Sequence, residues 1–202
     1  MKIGVLGGTF DPIHNGHLGI AESACRDLGL AQVLFVPARE PWLKGRRTIA
    51  PSRHRVEMVK LAILADPRYN ISYVDLERDG PSYTVDTLSD LRSEFGANAD
   101  LYFILGTDAM EELPGWKKPE RIIKMCHLVV VKRPGVGIVD LRAIEARLPG
   151  ISERVIVISN DLYDINSTDI RQRVATGHSI NGLVPDAVEY YIREKGLYLK
   201  EG

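Results

Sequence analysis

Charge imbalance is missing from this chain: 26 Lys and Arg stand against 27 Asp and Glu in 202 residues, for a formal net charge of −1. A protein built to lie on nucleic acid or on a membrane carries a one-sided field, so neither partner is expected. Cysteine is scarce. Cys25 and Cys126 both sit in apolar surroundings and read as buried, reduced thiols. No apolar run approaches the ~20 residues of a membrane span. The N-terminus has one lysine and then a strand-like pattern, with no long apolar signal segment, so cytoplasmic placement is the expectation. Internal repeats, low-complexity tracts and Gly/Ser linkers are also lacking. What is present, 45% hydrophobic and 26% charged, is an ordinary globular composition, long enough to bury a core without disulfides or metal.

Apolar runs alternate with helical patterns along the chain. Strands are expected at Ile3–Leu6, Gln32–Val36, Leu101–Leu105, Leu128–Val131 and Val155–Ile158, with a weaker one at Asn70–Val74. Helices are expected from near Leu18 to a stop at Gly29, after Pro51-Ser52, and after Pro81-Ser82-Tyr83-Thr84. Shorter ones are expected around 108–113, 119–124, 141–148, 168–176 and 185–194. Runs such as VLFV and LVVV suit strands buried on both faces. The pattern predicts an α/β protein: a single-domain, Rossmann-like, doubly wound parallel sheet spanning 1–202. Its core would run to about 160, with a small helical part over about 161–202. In such sheets ligands bind beyond the carboxyl ends of the strands. Gly7-Gly8, Pro37-Ala38 and Gly106-Thr107-Asp108 all follow strands and are expected to converge there.

The most informative stretch is Gly7-Gly8-Thr9-Phe10-Asp11-Pro12-Ile13-His14-Asn15-Gly16-His17. Two glycines let the backbone approach a ligand closely. Asn15-Gly16 falls at a helix entry, where unpaired N–H groups and the dipole attract anions. Together with two imidazoles this suits a polyphosphate. The stretch is neither a Walker A loop nor a GxGxxG fingerprint. His54, His127 and His178 offer no zinc-ligand spacing to complete a site with His14 and His17. A second candidate is Asn166-Ser167-Thr168-Asp169-Ile170-Arg171. There Ser167 or Thr168 could cap a helix, with Arg171 one turn on. Hydroxyl, helix N–H groups and guanidinium make an anion site; a plain cap with a solvated arginine is the alternative. No activated Ser or Cys constellation is present.

The first segment resembles the signature of the HxGH nucleotidyltransferase superfamily. With Pro81–Thr84, Gly106–Asp108, Trp116, Lys132–Gly135 and Asn166–Arg171 in order, nearly the whole chain resembles the bacterial nicotinate-mononucleotide adenylyltransferases. The resemblance implies transfer of the adenylyl group of ATP to nicotinate mononucleotide, giving deamido-NAD and pyrophosphate. It implies His14, His17 and Arg171 as catalytic groups. ATP contacts would come from Gly7, Gly8, Thr9, Phe10, His17, Gly106, Asp108, Ser167, Thr168 and Arg171. Acceptor contacts would come from Asp11, Lys44, Thr84, Asp108, Trp116 and Lys117. Mg²⁺ would be carried mainly by the ATP phosphates, with no protein metal ligand.

Alternatives remain at single positions. Trp116 reads as a stacking face for a pyridine ring or as core packing. Asp108 reads as a ribose acceptor or as a helix N-terminal acid. Pro41-Trp42-Leu43-Lys44 departs from the family's Pro-Pro-His-Lys pattern but keeps the lysine. Lys44, Arg46, Arg47, Arg53 and Arg55 form a basic stretch that reads as a solvated loop or as an RNA-facing patch; Glu40 interrupts it and the net charge is near zero. Related rivals are phosphopantetheine adenylyltransferase and cytidylyltransferases. A class I aminoacyl-tRNA synthetase would need a KMSKS-like segment, which the chain lacks. Whether copies associate into a homo-oligomer is left open by the sequence.

Overall fold

The computed structural model describes residues 1–41, 49–132, 139–159 and 165–199. Among these residues, six strands form one parallel sheet: β1 (Lys2–Gly8), β2 (Gln32–Pro37), β3 (Tyr69–Ile71), β4 (Asp100–Gly106), β5 (His127–Lys132) and β6 (Val155–Ser159). Their order is β3-β2-β1-β4-β5-β6, and every pairing is parallel. The Rossmann-like expectation is met. Connection direction reverses between β1 and β4, the place where such a sheet opens a crevice for ligands.

Continuous apolar runs make sense once each strand's two faces are followed. Ile3 and Val5 enter one core, with Leu101, Phe103, Leu105, Leu128 and Val130. The alternate positions Leu6, Tyr102, Ile104, Val129 and Val131 enter the other. Period-two alternation on a sheet covered on both sides therefore leaves no position for polar residues. Gly4 leaves room on the second face: a Cβ there would stand 2.8 Å from Leu30 Cδ1, which would have to shift.

Helix α1 (Asn15–Leu28) follows β1, and α2 (Ser52–Ile63) follows β2. Ala21, Ala24, Cys25, Met58, Val59 and Ile63 bury their faces in the second core. Gly29 ends α1 in the left-handed region at φ 62°, its N–H donating to Cys25 O at 3.0 Å. After β3 come α3 (Val74–Glu77) and α4 (Thr84–Phe95). After β4 come α5 (Thr107–Glu112), a 3₁₀ turn at Leu113–Gly115 and α6 (Pro119–Met125). Helix α7 (Leu141–Arg147) lies between β5 and β6, and α8 (Ser167–Ala175) and α9 (Asp186–Glu194) complete the described chain. Ile170, Val188 and Ile192 of the last two helices enter the same core as α1 and α2, so the C-terminal part is packed onto the sheet.

The α1 entry expected at Asn15-Gly16 is met: the helix begins at Asn15, where His14 takes the extended N-cap conformation and its carbonyl accepts from Leu18 N–H. One expectation needs correction. The strand placed at Asn70–Val74 ends at Ile71. Val74 instead opens α3, where buried Asp75 accepts from Thr87 Oγ1 at 2.5 Å and from Arg78 at 2.7 Å.

Candidate active site

Because all strands run the same way, Gly7-Gly8, Pro37 and Gly106 reach one rim of the sheet; Gly8 is in register with Pro37, and Gly106 with Val131. Past β1 the chain makes a tight turn. Phe10 lies at φ 50° with its ring buried, and that ring occupies the space beside Gly8: a Cβ on Gly8 would meet it at 2.9 Å. The turn delivers His14 to the N-cap of α1 and His17 to its first turn. Their imidazoles stack at 3.7 Å between centroids, and Phe10 meets the His17 ring edge-on at 5.1 Å. His17 Nδ1 accepts from the His14 N–H at 3.2 Å, which fixes the orientation of its ring. Gly16 leaves room for the buried His14 ring, since a Cβ there would lie 3.0 Å from its Nδ1. One part of the anion-site expectation is corrected. The Asn15 N–H donates to Leu183 O at 2.9 Å, because the turn before α9 docks on this helix entry.

The second motif joins the first. Ser167 donates to Pro12 O at 3.0 Å. Arg171 donates to the Asp11 carbonyl, and its Nη2 lies 3.1 Å from Thr168 Oγ1. The cap of α8 is Asn166, whose side chain accepts from Asp169 N–H at 2.8 Å, and not Ser167 or Thr168. This releases the Ser167 hydroxyl to tie the two motifs together.

Beneath the turn is a buried polar cluster. Asp11, 3% exposed, accepts at Oδ1 from Tyr198 OH at 2.8 Å and from Ala50 N–H at 3.3 Å; its Oδ2 lies 3.7 Å from Arg171. Arg55, expected in a solvated basic stretch, is 2% exposed and donates to Thr9 O at 2.7 Å and Ala50 O at 3.0 Å. Burial lowers the Arg55 pKa, while the Asp11 charge opposes that change. Burial, then Asp11, push the Tyr198 phenol well above its usual range, so it remains a donor. Arg55 had a signal in the sequence: it stands three and four residues before Met58 and Val59, on the buried stripe of α2. Tyr198 had none.

On the far side of β1, the Gly7 Cα faces the Phe103 ring, which meets Trp116 edge-on with 6.2 Å between centroids. Trp116 is half-buried against the core. Its Nε1 is buried and has no hydrogen-bond partner among the described residues. Lys117 lies over the Tyr83 ring at 4.1 Å and pairs with Asp86 at 2.9 Å, bringing residues 116–117 to the start of α4 at Thr84. Ser82 fixes that start against the exit of β2: its Oγ accepts from Arg39 N–H at 2.9 Å, and its N–H donates to Glu40 O at 3.0 Å. Asp108 is exposed in the first turn of α5, and no atom approaches within 4 Å of a Cβ built on Gly106. Lys44, with Trp42 and Leu43, lies outside the described residues. Among the described residues no group of three His, Cys, Asp or Glu could hold a metal ion, and no helix is long and apolar enough to cross a membrane.

The six-stranded parallel sheet, with the Gly7–His17 turn at its switch point joined to the start of α8, is a Rossmann-like α/β architecture, and the family model described as Cytidylyltransferase-like matches residues 5–173, from β1 into α8. A Dehalococcoides mccartyi protein named "Probable nicotinate-nucleotide adenylyltransferase" is 43% identical over 201 residues, covering 100% of this chain and 98% of that protein. One of the same name from Thermomicrobium roseum is 47% identical, covering 98% and 91%. The chain belongs to this family of nicotinate-nucleotide adenylyltransferases within the cytidylyltransferase-like group. Its fold matches the Plasmodium falciparum nicotinic acid mononucleotide adenylyltransferase complexed with NaAD, with TM-score 0.78 at 22% identity over 98% of this chain and 97% of that one. The complex of the same enzyme with APC gives 0.77 at 21%, over 98% and 96%.

Proposed function

We propose that this chain transfers the adenylyl group of ATP to nicotinate mononucleotide, releasing pyrophosphate, by direct in-line attack at the α-phosphate. The observation that carries the mechanism is the junction of Ser167 and Arg171 with the turn that bears His14 and His17. The nucleophile is a phosphate oxygen, ionised at neutral pH. It needs no general base and forms no covalent intermediate. The protein has to align two anions and neutralise the charge that moves onto pyrophosphate. His14 and His17 serve the α-phosphate region, with Gly7, Gly8, Thr9 and Phe10 shaping the turn. Arg171, Ser167 and Thr168 serve the outer phosphates. Gly106 and Asp108 border the ribose. Each oriented donor of this kind contributes roughly 3–4 kcal/mol to the transition state.

Mg²⁺ would be carried mainly by the ATP phosphates. The chain offers the donors of a phosphate clamp, and the Asp11 carboxylate beside it is already engaged by Tyr198 and Ala50. A bound Mg²⁺ supplies charge neutralisation on the phosphates.

The acceptor's pyridine ring meets Trp116, with backbone N–H groups of Thr84 and Lys117 facing its carboxylate; by the resemblance Lys44, outside the described residues, would meet its phosphate. An amide would present donors to donors, so the acid is preferred. Incubation with ATP, Mg²⁺ and each pyridine mononucleotide, with products weighed by mass spectrometry, tests the reaction. Nicotinate mononucleotide should give the larger kcat/KM by tenfold or more, on the order of one unpaired buried polar group. Equal values would remove the acid-specific pocket, and absence of both dinucleotide products would remove the activity.

A further inference from the structure

We infer that Tyr198, on the tail beyond α9, is a positioning residue for ATP: its phenol holds the Asp11 carboxylate so that Arg171 remains at the outer phosphates. This rests on the reading of Arg171 given above. The two oxygens of Asp11 have separate tasks. Oδ1 accepts from Tyr198 and Ala50, while Oδ2 stands 3.7 Å from Arg171, close enough to attract but beyond hydrogen-bond length. Arg171 itself reaches the Asp11 carbonyl and Thr168 Oγ1. The Ala50 bond, at 3.3 Å, is long. The phenol, at 2.8 Å, is the stronger restraint on the carboxylate. Without it, a buried carboxylate beside a guanidinium closes the gap and forms a bidentate pair. Arg171 is then drawn inward, away from Thr168.

The tail is built to deliver this hydroxyl. Leu197 packs in the core shared with α1 and α2, and its N–H donates to Ile192 O at 3.0 Å. Tyr198 sits at φ 65°, a left-handed backbone that a non-glycine residue keeps only when its surroundings fix it. Arg55, the other cation near both Asp11 and Tyr198, cannot substitute for Arg171, because its guanidinium serves the Thr9 and Ala50 carbonyls.

Tyr198→Phe keeps the ring and removes the hydroxyl. The Kd for ATP, measured by calorimetry without acceptor, and the KM for ATP should both rise about tenfold. The KM for nicotinate mononucleotide should stay within twofold. In a double-mutant cycle, Tyr198→Phe added to Asp11→Asn should weaken ATP no further, since the phenol acts through that carboxylate. Unchanged ATP affinity in the folded variant overturns the inference, as do additive effects or a loss of kcat with both KM values unmoved. If Tyr198→Phe does not fold, Asp11→Asn decides alone: with no charge to draw Arg171 inward, it must leave the Kd for ATP within twofold of wild type, and a tenfold loss overturns the inference. Wild-type protein that binds ATP but makes no dinucleotide would refute the proposed reaction, while the binding arm would still judge Tyr198.

Discussion

Substituting alanine for Gly16 separates fold from chemistry in this molecule. Gly16 is the second residue of α1, and on helix propensity alone alanine there is neutral or stabilising, by at most about 1 kcal/mol. The added methyl, however, meets His14 Nδ1 at 3.0 Å, His14 Cε1 at 3.1 Å and Ile165 O at 3.5 Å. The imidazole has little room to retreat, being 6% exposed with its other face stacked on His17 at 3.7 Å. A shift of a few tenths of an ångström must therefore pass through both rings. A misplacement of ~1 Å costs about a hundredfold, so a third to a half of that costs roughly 5–10-fold. Gly16→Ala should lower kcat by that factor while thermal unfolding stays within about 1 kcal/mol of wild type. Pyrophosphate release at saturating ATP and acceptor, with calorimetric unfolding alongside, measures both. Turnover within twofold of wild type would show that the position of the His14 ring is not critical.

His17→Ala should reduce kcat by roughly a hundredfold or more with the fold intact, the usual cost of one oriented donor; near-normal turnover would exclude His17 from the transition state. Burial pushes the Cys126 thiol from 9.0 up to about 12. Between those values the folded chain keeps a proton that the unfolded chain loses, so this contribution is present in full below pH 9 and is lost as pH rises, at up to about 1.4 kcal/mol per pH unit. Tyr69, raised by burial from 10.0 to about 12, acts in the same direction from pH 10 upward. Urea midpoints between pH 8 and 11 should fall, and Cys126→Ala should flatten that fall by close to one proton. An unchanged slope would mean that the thiol is not the group responsible.

Most of the sheet was legible because burial on both faces writes itself as unbroken apolar runs, and parallel crossovers write themselves as intervening helical patterns. One local feature departs from its sequence pattern for a physical reason. Val74 continues an apolar-looking stretch, but the carboxylate of Asp75 is stabilised only inside a helical turn, where Arg78 and Thr87 reach it. α1 begins at Asn15 although Asn15, Gly16 and His17 are poor helix formers; the capping geometry of His14 and the docked Leu183 carbonyl override that propensity.

The Gly7–His17 and Asn166–Arg171 segments were legible as a set, but their junction was not, because it depends on groups far apart in sequence. Asp11 lies within the first motif, and the resemblance makes it an acceptor contact. Folded, its carboxylate lies beneath the turn between Tyr198, Ala50 and Arg171. Arg55 sits in a run of basic residues, and composition marks it as solvated; only the α2 stripe places it inward, where Thr9 and Ala50 carbonyls satisfy it. A buried cation held by carbonyls and a buried carboxylate held by a phenol cost desolvation energy that neither recovers as a simple ion pair. That cost is understandable if the cluster's work is to hold the turn and Arg171 in fixed relation before any nucleotide arrives, so that binding need not organise the clamp.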